Sequence, residues 1–193
     1  MAQLRLPAGA DLAGWLVTVP STGMSGAEVL RVLDALDAAG IRAGITGGWG
    51  IDALLRLETR QHGDLDLGVA AEDVDPAIQA LSPLGYVLTF DERPSRVVVE
   101  SDLGRVDLHP IVWGSSGAGL QTGLAGEAFD YPAGSLEAEG EIACRTVRCA
   151  TPDLQLAFHA HYEPRDHDRR DMSALASEFK LSLPSSYRPR DTS

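Results

Sequence analysis

Apolar residues recur along this chain in two rhythms, one near 3.6 residues and one of two. Val29, Leu30, Leu33, Leu36 and Ala39 fall on one face of a helix. Ser25-Gly26-Ala27-Glu28 opens it as a capping box, with Ser25 as N-cap and Glu28 reaching back, and Gly40 closes it. Residues 41–47 read as a short strand running into Gly47-Gly48, and 49–57 as a helix. After a polar loop, 58–63, the run Asp64-Leu65-Asp66-Leu67-Gly68-Val69 alternates with period two, as a half-buried strand does. The pattern then predicts a helix over 76–84, with Asp75 as N-cap and Pro76 at its first position. Residues 86–90, 96–101 and 105–113 are strands, the last two joined as a hairpin around Asp102-Leu103-Gly104. The Gly- and Ser-rich stretch 114–126 reads as a loop over a site. A further hairpin spans 136–150. Thr151-Pro152-Asp153 is a helix start, with a hydroxyl N-cap, proline at N1 and an acid in the first turn. Helices over 152–161 and 167–180 follow.

These elements interleave without a regular βαβ rhythm. The expectation is an α+β fold, a mixed sheet flanked by helices with a C-terminal helical segment. The boundaries expected are an N-terminal extension over 1–24, one domain over 25–183 and a tail over 184–193. With 193 residues, 44% of them hydrophobic, the chain is able to bury one core.

Charge narrows the choice of partners. The net charge of −12 opposes binding to a phosphate backbone and favours cationic small molecules, so nucleic acid is not expected as a partner. The apolar stretch 10–19 is too short to span a bilayer, and Arg5 alone is a thin basic flank for a leader. A cytoplasmic protein without a membrane partner, monomer or homodimer, is expected. Cys144 and Cys149 read as two buried thiols in a reducing compartment.

The chemistry centres on Asp64 and Asp66. Two residues apart on a strand, both carboxylates project from one face while Leu65 and Leu67 face the core. Paired carboxylates repel unless a cation sits between them, and Mg²⁺ suits a few carboxylates plus phosphate oxygens. A solvated acidic strand face is the bland reading of Asp64-Leu65-Asp66 alone. Arg105-Val106-Asp107-Leu108-His109 alternates too, placing Asp107 and His109 on one face. Asp107 would complete a two-metal cluster for in-line displacement at phosphorus, or act as general base toward an incoming hydroxyl. Gly47-Gly48 lets backbone N–H groups approach a phosphate at a helix start; a tight strand–helix turn is the alternative.

The blocks Gly47-Gly48-Trp49-Gly50-Ile51-Asp52, Thr59-Arg60-Gln61-His62-Gly63-Asp64-Leu65-Asp66 and Val106-Asp107-Leu108-His109-Pro110 resemble the antibiotic nucleotidyltransferases. These are the lincosamide and aminoglycoside 2″-O-nucleotidyltransferases of the DNA polymerase β-like superfamily. The likeness runs from about residue 27 to 180, taking in Thr146-Val147-Arg148-Cys149, Tyr162-Glu163-Pro164 and Asp168-Arg169-Arg170-Asp171. The resemblance implies a polymerase β-like fold and an enzyme requiring Mg²⁺. It would transfer a nucleoside monophosphate, AMP from ATP by default, to a hydroxyl of a small molecule such as an aminoglycoside or lincosamide. By the same resemblance Asp64 and Asp66 are metal ligands, and Asp107 is a third ligand or the base. Gly47 and Gly48 would line the triphosphate, with Arg60 as a cation near it. The chain departs from the family at Gly63, where an acid is common.

Secondary candidates carry two readings each. His62 binds nucleotide or orders its loop by a hydrogen bond. His109 supports the metal site from its outer shell or is structural. Glu100 meets a cationic acceptor or is surface charge, and Trp49 anchors the core or stacks on a base. His159, His161 and His167 lack the companions of a zinc site. Two functional alternatives stand beside the antibiotic enzyme. One is a toxin-like nucleotidyltransferase acting on protein or tRNA; the other is a non-catalytic nucleotide-binding module of the same fold.

Overall fold

The computed structural model describes residues 23–160 and 162–187. The helices are α1 (Gly26–Ala38), α2 (Gly47–Leu55), α3 (Val74–Leu81), α4 (Pro152–His159) and α5 (Asp166–Phe179). The strands are β1 (Gly44–Ile45), β2 (Asp64–Ala70), β3 (Val87–Glu92), β4 (Arg96–Ser101) and β5 (Gly104–Trp113), then β6 (Gly119–Thr122), β7 (Ala128–Tyr131), β8 (Ala138–Ile142) and β9 (Arg145–Cys149). They form one sheet in the order β3-β4-β5-β2-β1-β9-β8, with the β6–β7 hairpin attached to β5. Pairing of β2 with β5 and of β1 with β9 is parallel and the rest antiparallel, so the sheet is mixed.

Period-two alternation gives the sheet two unlike faces. Leu65 and Leu67 of β2 and Val106 and Leu108 of β5 are fully buried in a core shared with Val29, Val32 and Leu36 of α1 and with Val74 and Leu81 of α3. The other face carries the aspartates and, beyond them, a smaller cluster of Ile111, Tyr131, Leu136, Ala150 and Leu154. The chemistry-bearing face is thus wet at one end and closed by apolar packing at the other.

Several boundaries differ from the pattern-based expectation. The strand expected over 41–47 shrinks to Gly44–Ile45, because Gly47 at φ 59° turns the chain directly into α2. α3 begins at Val74, before Pro76, which lies in the first turn where a missing N–H leaves no bond unmade. It stops at Leu81, and a 3₁₀ turn over Ser82–Leu84 follows. The expected loop 114–126 holds a strand. Gly114 and Gly117 close a turn (Gly114 N to Ala118 O, 2.8 Å) from which β6 sets out, pairing with β7. The capping box is half made. Ser25 Oγ accepts from Glu28 N at 3.2 Å, but the Glu28 carboxylate turns away to Arg31 and Tyr86. Cys149 is buried, whereas Cys144 is exposed in the β8–β9 turn at φ 64°, so the expected pair of buried thiols is not found. No helix among the described residues is long and apolar enough to cross a membrane. The 10–19 stretch, His161 and residues 188–193 lie outside the described residues.

Candidate active site

Parallel pairing of β2 with β5 sets Asp64 beside Arg105, Asp66 beside Asp107 and Gly68 beside His109. Side chains of paired residues leave the same face, so Asp64, Asp66, Arg105, Asp107 and His109 are gathered on one side of the two strands. β1 feeds α2 onto the end of this array, and Thr46 N donates to Asp66 O at 2.9 Å. Two glycines permit the approach. A Cβ on Gly47 would lie 2.2 Å from Asp66 Oδ2, and one on Gly48 would lie 2.3 Å from His62 Nδ1 and 2.8 Å from Arg60 Nη2. The start of α2, with its free N–H groups, therefore faces the Asp66 carboxylate directly.

The three aspartates sit in three electrostatic environments. Asp64 makes no ion pair among the described residues. Burial raises its pKa above the ordinary carboxylate value, and repulsion from Asp66 and Asp107 adds to that. For Asp66, desolvation acts upward, yet the His109 hydrogen bond and the charges of Arg105 and Arg96 outweigh it and hold the carboxyl below its ordinary value. His109 Nε2 lies 3.0 Å from Asp66 Oδ1. Asp107 is 2% exposed. Arg105 grips it through Nε at 2.7 Å and Nη2 at 3.0 Å, and Arg96 Nη1 stands 3.3 Å away.

This arrangement fits a divalent cation at Asp64 and Asp66. Asp64 is short of positive charge and Asp66 keeps one oxygen clear of His109, the donor set that Mg²⁺ combines with phosphate oxygens and water. Asp107 is turned to its arginines instead. Among the described residues no three His, Cys, Asp or Glu side chains are gathered to hold a metal, so the expected three-carboxylate cluster is not assembled. The reason is the pair of arginines, which already neutralise the third acid.

A cavity of about 1010 Å³ opens over this face. Gly47, Gly48, Arg60, Asp64, Asp66, Asp107 and His109 line it, all singled out from the sequence. Arg60 is oriented by Asp171 of α5, at 3.0 Å from both Nε and Nη2. Two candidates do not line it. His62 is 2% exposed and bonds Asp52 (Nε2 to Oδ2, 2.6 Å), which also accepts from Thr59 N and Oγ1. That bond orders the loop after α2, and the other side of the ring, Nδ1, lies against Gly48. Glu100 faces Arg105 at 3.8 Å, half exposed and away from the cavity wall. Trp49 is a core residue at 2% exposure.

Arg96 and Arg105 were not among the expected site residues; Arg105 shares the face of Asp107 by its even spacing on β5, whereas Arg96 reaches it only through the pairing of Val98 with Asp107. The sequence reading also missed the far wall, built by Gln121 and Tyr131 of the β6–β7 hairpin and by Phe158 and His159 of α4. No local pattern signals that these residues reach the aspartates.

Comparison with known proteins bears on this geometry. The family model described as aminoglycoside-2″-adenylyltransferase matches residues 28–175. The chain is 28% identical over 151 residues to a lincosamide resistance protein of Staphylococcus haemolyticus, covering 78% of this chain and 93% of that protein. It is 33% identical over 121 residues to a 2″-aminoglycoside nucleotidyltransferase of Klebsiella pneumoniae, covering 62% of this chain and 63% of that protein. Among solved structures, lincomycin-bound lincosamide antibiotic adenylyltransferase LnuA matches with a TM-score of 0.71 and 27% identity, over 80% of this chain and 98% of that one. ANT(2″)-Ia in complex with adenylyl-2″-tobramycin shares the fold, with a TM-score of 0.66 at 24% identity over 80% of this chain and 88% of that one.

Proposed function

The chain belongs to the aminoglycoside-2″-adenylyltransferase family and is a nucleotidyltransferase, and we propose that it transfers AMP from ATP, with Mg²⁺, to a hydroxyl of a lincosamide or aminoglycoside antibiotic. The observation that carries this reading is the convergence of Asp64, Asp66 and the Gly47-Gly48 helix start on one cavity, with Asp107 beside them on β5.

Each group has a part in the displacement. The start of α2 and Arg60 bind the triphosphate through backbone N–H groups and a guanidinium. Asp64 and Asp66 hold the cation, which when bound offsets charge on the phosphate oxygens. The acceptor oxygen forms its bond to the α-phosphorus, the bond from that phosphorus to the bridging oxygen breaks, and pyrophosphate leaves. Asp107, gripped by arginines and not offered to the cation, is the carboxylate assigned to take the hydroxyl proton.

The far wall favours one kind of acceptor. Phe158 stacks edge-on to Tyr131 (5.1 Å between centroids) and to Phe129 (6.1 Å), giving an aromatic surface. Asp168 on the same side is taken up by Arg165 N at 2.8 Å and Arg165 Nε at 3.2 Å. With Asp168 so paired, the aromatic surface of this wall suits an acceptor with an apolar face. That supports a lincosamide before a polycationic aminoglycoside.

The test is label transfer from ATP carrying a radioactive α-phosphate, with Mg²⁺ and a panel of lincosamides and aminoglycosides. Labelled antibiotic is expected, with the higher kcat/KM on lincosamides. Asp64→Asn and Asp66→Asn should lose both transfer and metal-dependent nucleotide binding. Asp107→Asn should keep nucleotide binding and lose roughly 10²–10⁴-fold in kcat. Transfer undiminished in Asp64→Asn would refute the assigned cation site.

A further inference from the structure

Behind Asp66 runs a chain of hydrogen bonds that the reaction as described does not use. Tyr131 Oη lies 2.7 Å from Gln121 Oε1. Gln121 Nε2 lies 3.1 Å from His109 Nδ1 and 3.2 Å from the backbone oxygen of Ser95. His109 Nε2 lies 3.0 Å from Asp66 Oδ1. Gln121 and Tyr131 are both buried.

The polarity of this chain follows from one partner. A backbone carbonyl only accepts, so the end of Gln121 that faces Ser95 O is the nitrogen, and the amide has one orientation. One N–H of that amide goes to Ser95 and the other to His109 Nδ1. Nδ1 must then offer a lone pair, which puts the ring proton on Nε2, pointed at Asp66 Oδ1. Gln121 Oε1 in turn accepts from the Tyr131 hydroxyl. Each bond from Tyr131 through Gln121 and His109 donates toward the aspartate, so Oδ1 is occupied from behind. Oδ2, the oxygen next to Gly47, is left for the cation.

We propose that Gln121 is a positioning residue for the metal site: by fixing His109 as the Nε2–H donor it orients Asp66 so that Oδ2 alone faces the cation. This rests on the reading above that Asp66 is a metal ligand. The physical reason for such a device is the crowding at Gly47. A carboxylate free to rotate would present either oxygen, whereas one held by a fixed donor presents the one nearest the start of α2. Ser95 and Gln121 also join β4 to the hairpin that forms the far wall, and Ser95 Oγ donates to Gly123 O at 2.9 Å. The hairpin thereby supports the metal-binding side as well as enclosing the acceptor.

Two measurements on the full chain test this separately. In protein with ¹⁵N-labelled imidazole rings, the His109 signal is assigned by its loss in His109→Gln. It should show an unprotonated Nδ1 and a protonated Nε2. Gln121→Glu removes the donor, and the proton is expected to appear on Nδ1. Gln121→Met, which adds no charge, should leave a mixture of the two forms. Tyr131→Phe keeps the amide held by Ser95 and should leave the ring as it was. The second measurement is Mn²⁺ binding in the presence of a non-hydrolysable ATP analogue, followed by electron paramagnetic resonance. Gln121→Glu and Gln121→Met should weaken it by about 10–100-fold, with Tyr131→Phe close to the unaltered protein. A protonated Nδ1 in the unaltered protein overturns the proposal. So does Mn²⁺ affinity unchanged in both Gln121 variants while Asp66→Asn loses it. If Asp66→Asn also binds Mn²⁺ normally, the ligand assignment itself has failed, whatever the state of His109.

Discussion

His159 lies on the cavity wall with its ring almost enclosed and its Nδ1 donating to Gln155 O at 2.8 Å. Burial lowers its pKa, and that effect exceeds the opposing pull of the hydrogen bond and of Asp168, Asp171 and Asp66. The folded state therefore holds the ring neutral at a pH where the unfolded chain has begun to take up a proton. As pH falls below the unfolded value of 6.5, the unfolded state binds more protons and stability declines. Urea unfolding between pH 7.5 and 5.5 should show this decline, and a shallower one in His159→Gln; parallel curves would contradict the assignment. Gly47 offers a second single-residue test. Its φ of 59° costs an L-residue roughly 1–2 kcal/mol, and an added methyl meets Asp66 Oδ2. Gly47→Ala is expected to keep its far-ultraviolet circular dichroism while nucleotide affinity collapses. Asp52 makes a related point about legibility. Its place in the Gly-Gly-Trp-Gly-Ile-Asp block marks it as special, yet only the fold reveals why: it accepts from Thr59 and bonds His62, tying α2 to the loop before β2.

Between elements, the junction of α1 with the start of β3 depends on a buried acid. Glu28 is 6% exposed and its carboxylate receives Arg31 Nε at 2.8 Å, Arg31 Nη2 at 2.9 Å and Tyr86 Oη at 2.9 Å. Burial first, and the bond to Glu28 next, push the Tyr86 hydroxyl well above its usual range, so it stays a donor. Tyr86→Phe should cost about 1–3 kcal/mol in urea unfolding, because a buried carboxylate loses one of its donors. A change within a few tenths would mean that water or Arg31 takes over. The capping-box pattern correctly located the start of α1 but misassigned this glutamate. Arg31, one turn on, and Tyr86, 58 positions away, hold its carboxylate instead. The β6–β7 hairpin escaped notice for a different reason. Its strands are four residues long and set among glycines, so turn chemistry dominates the local signal.

At the scale of the whole molecule, the parallel pairing of β2 with β5 turns two separate acidic stretches into a site. Register places Asp66 opposite Asp107, and the two faces of that pair divide core from chemistry. The sequence by itself determined the strand parity of Asp64, Asp66, Asp107 and His109, the glycine start of α2, and the starts of α1 and α4 at their Ser25 and Thr151 caps, whereas α3 is entered from Asp73 and not from the expected Asp75. These follow from local propensities and periodicity, which act over a few residues. Membership in an antibiotic nucleotidyltransferase family was legible too, since its motifs are contiguous blocks. Only the tertiary structure decided how the three aspartates differ. Arg96 and Arg105 take Asp107, His109 takes one oxygen of Asp66, and Asp64 is left without an ion pair among the described residues. It likewise set His62 against Asp52 and brought Gln121 behind His109 and Asp66. Such assignments depend on which strand lies beside which, and electrostatic partnership acts through space between residues that no periodicity along the chain relates.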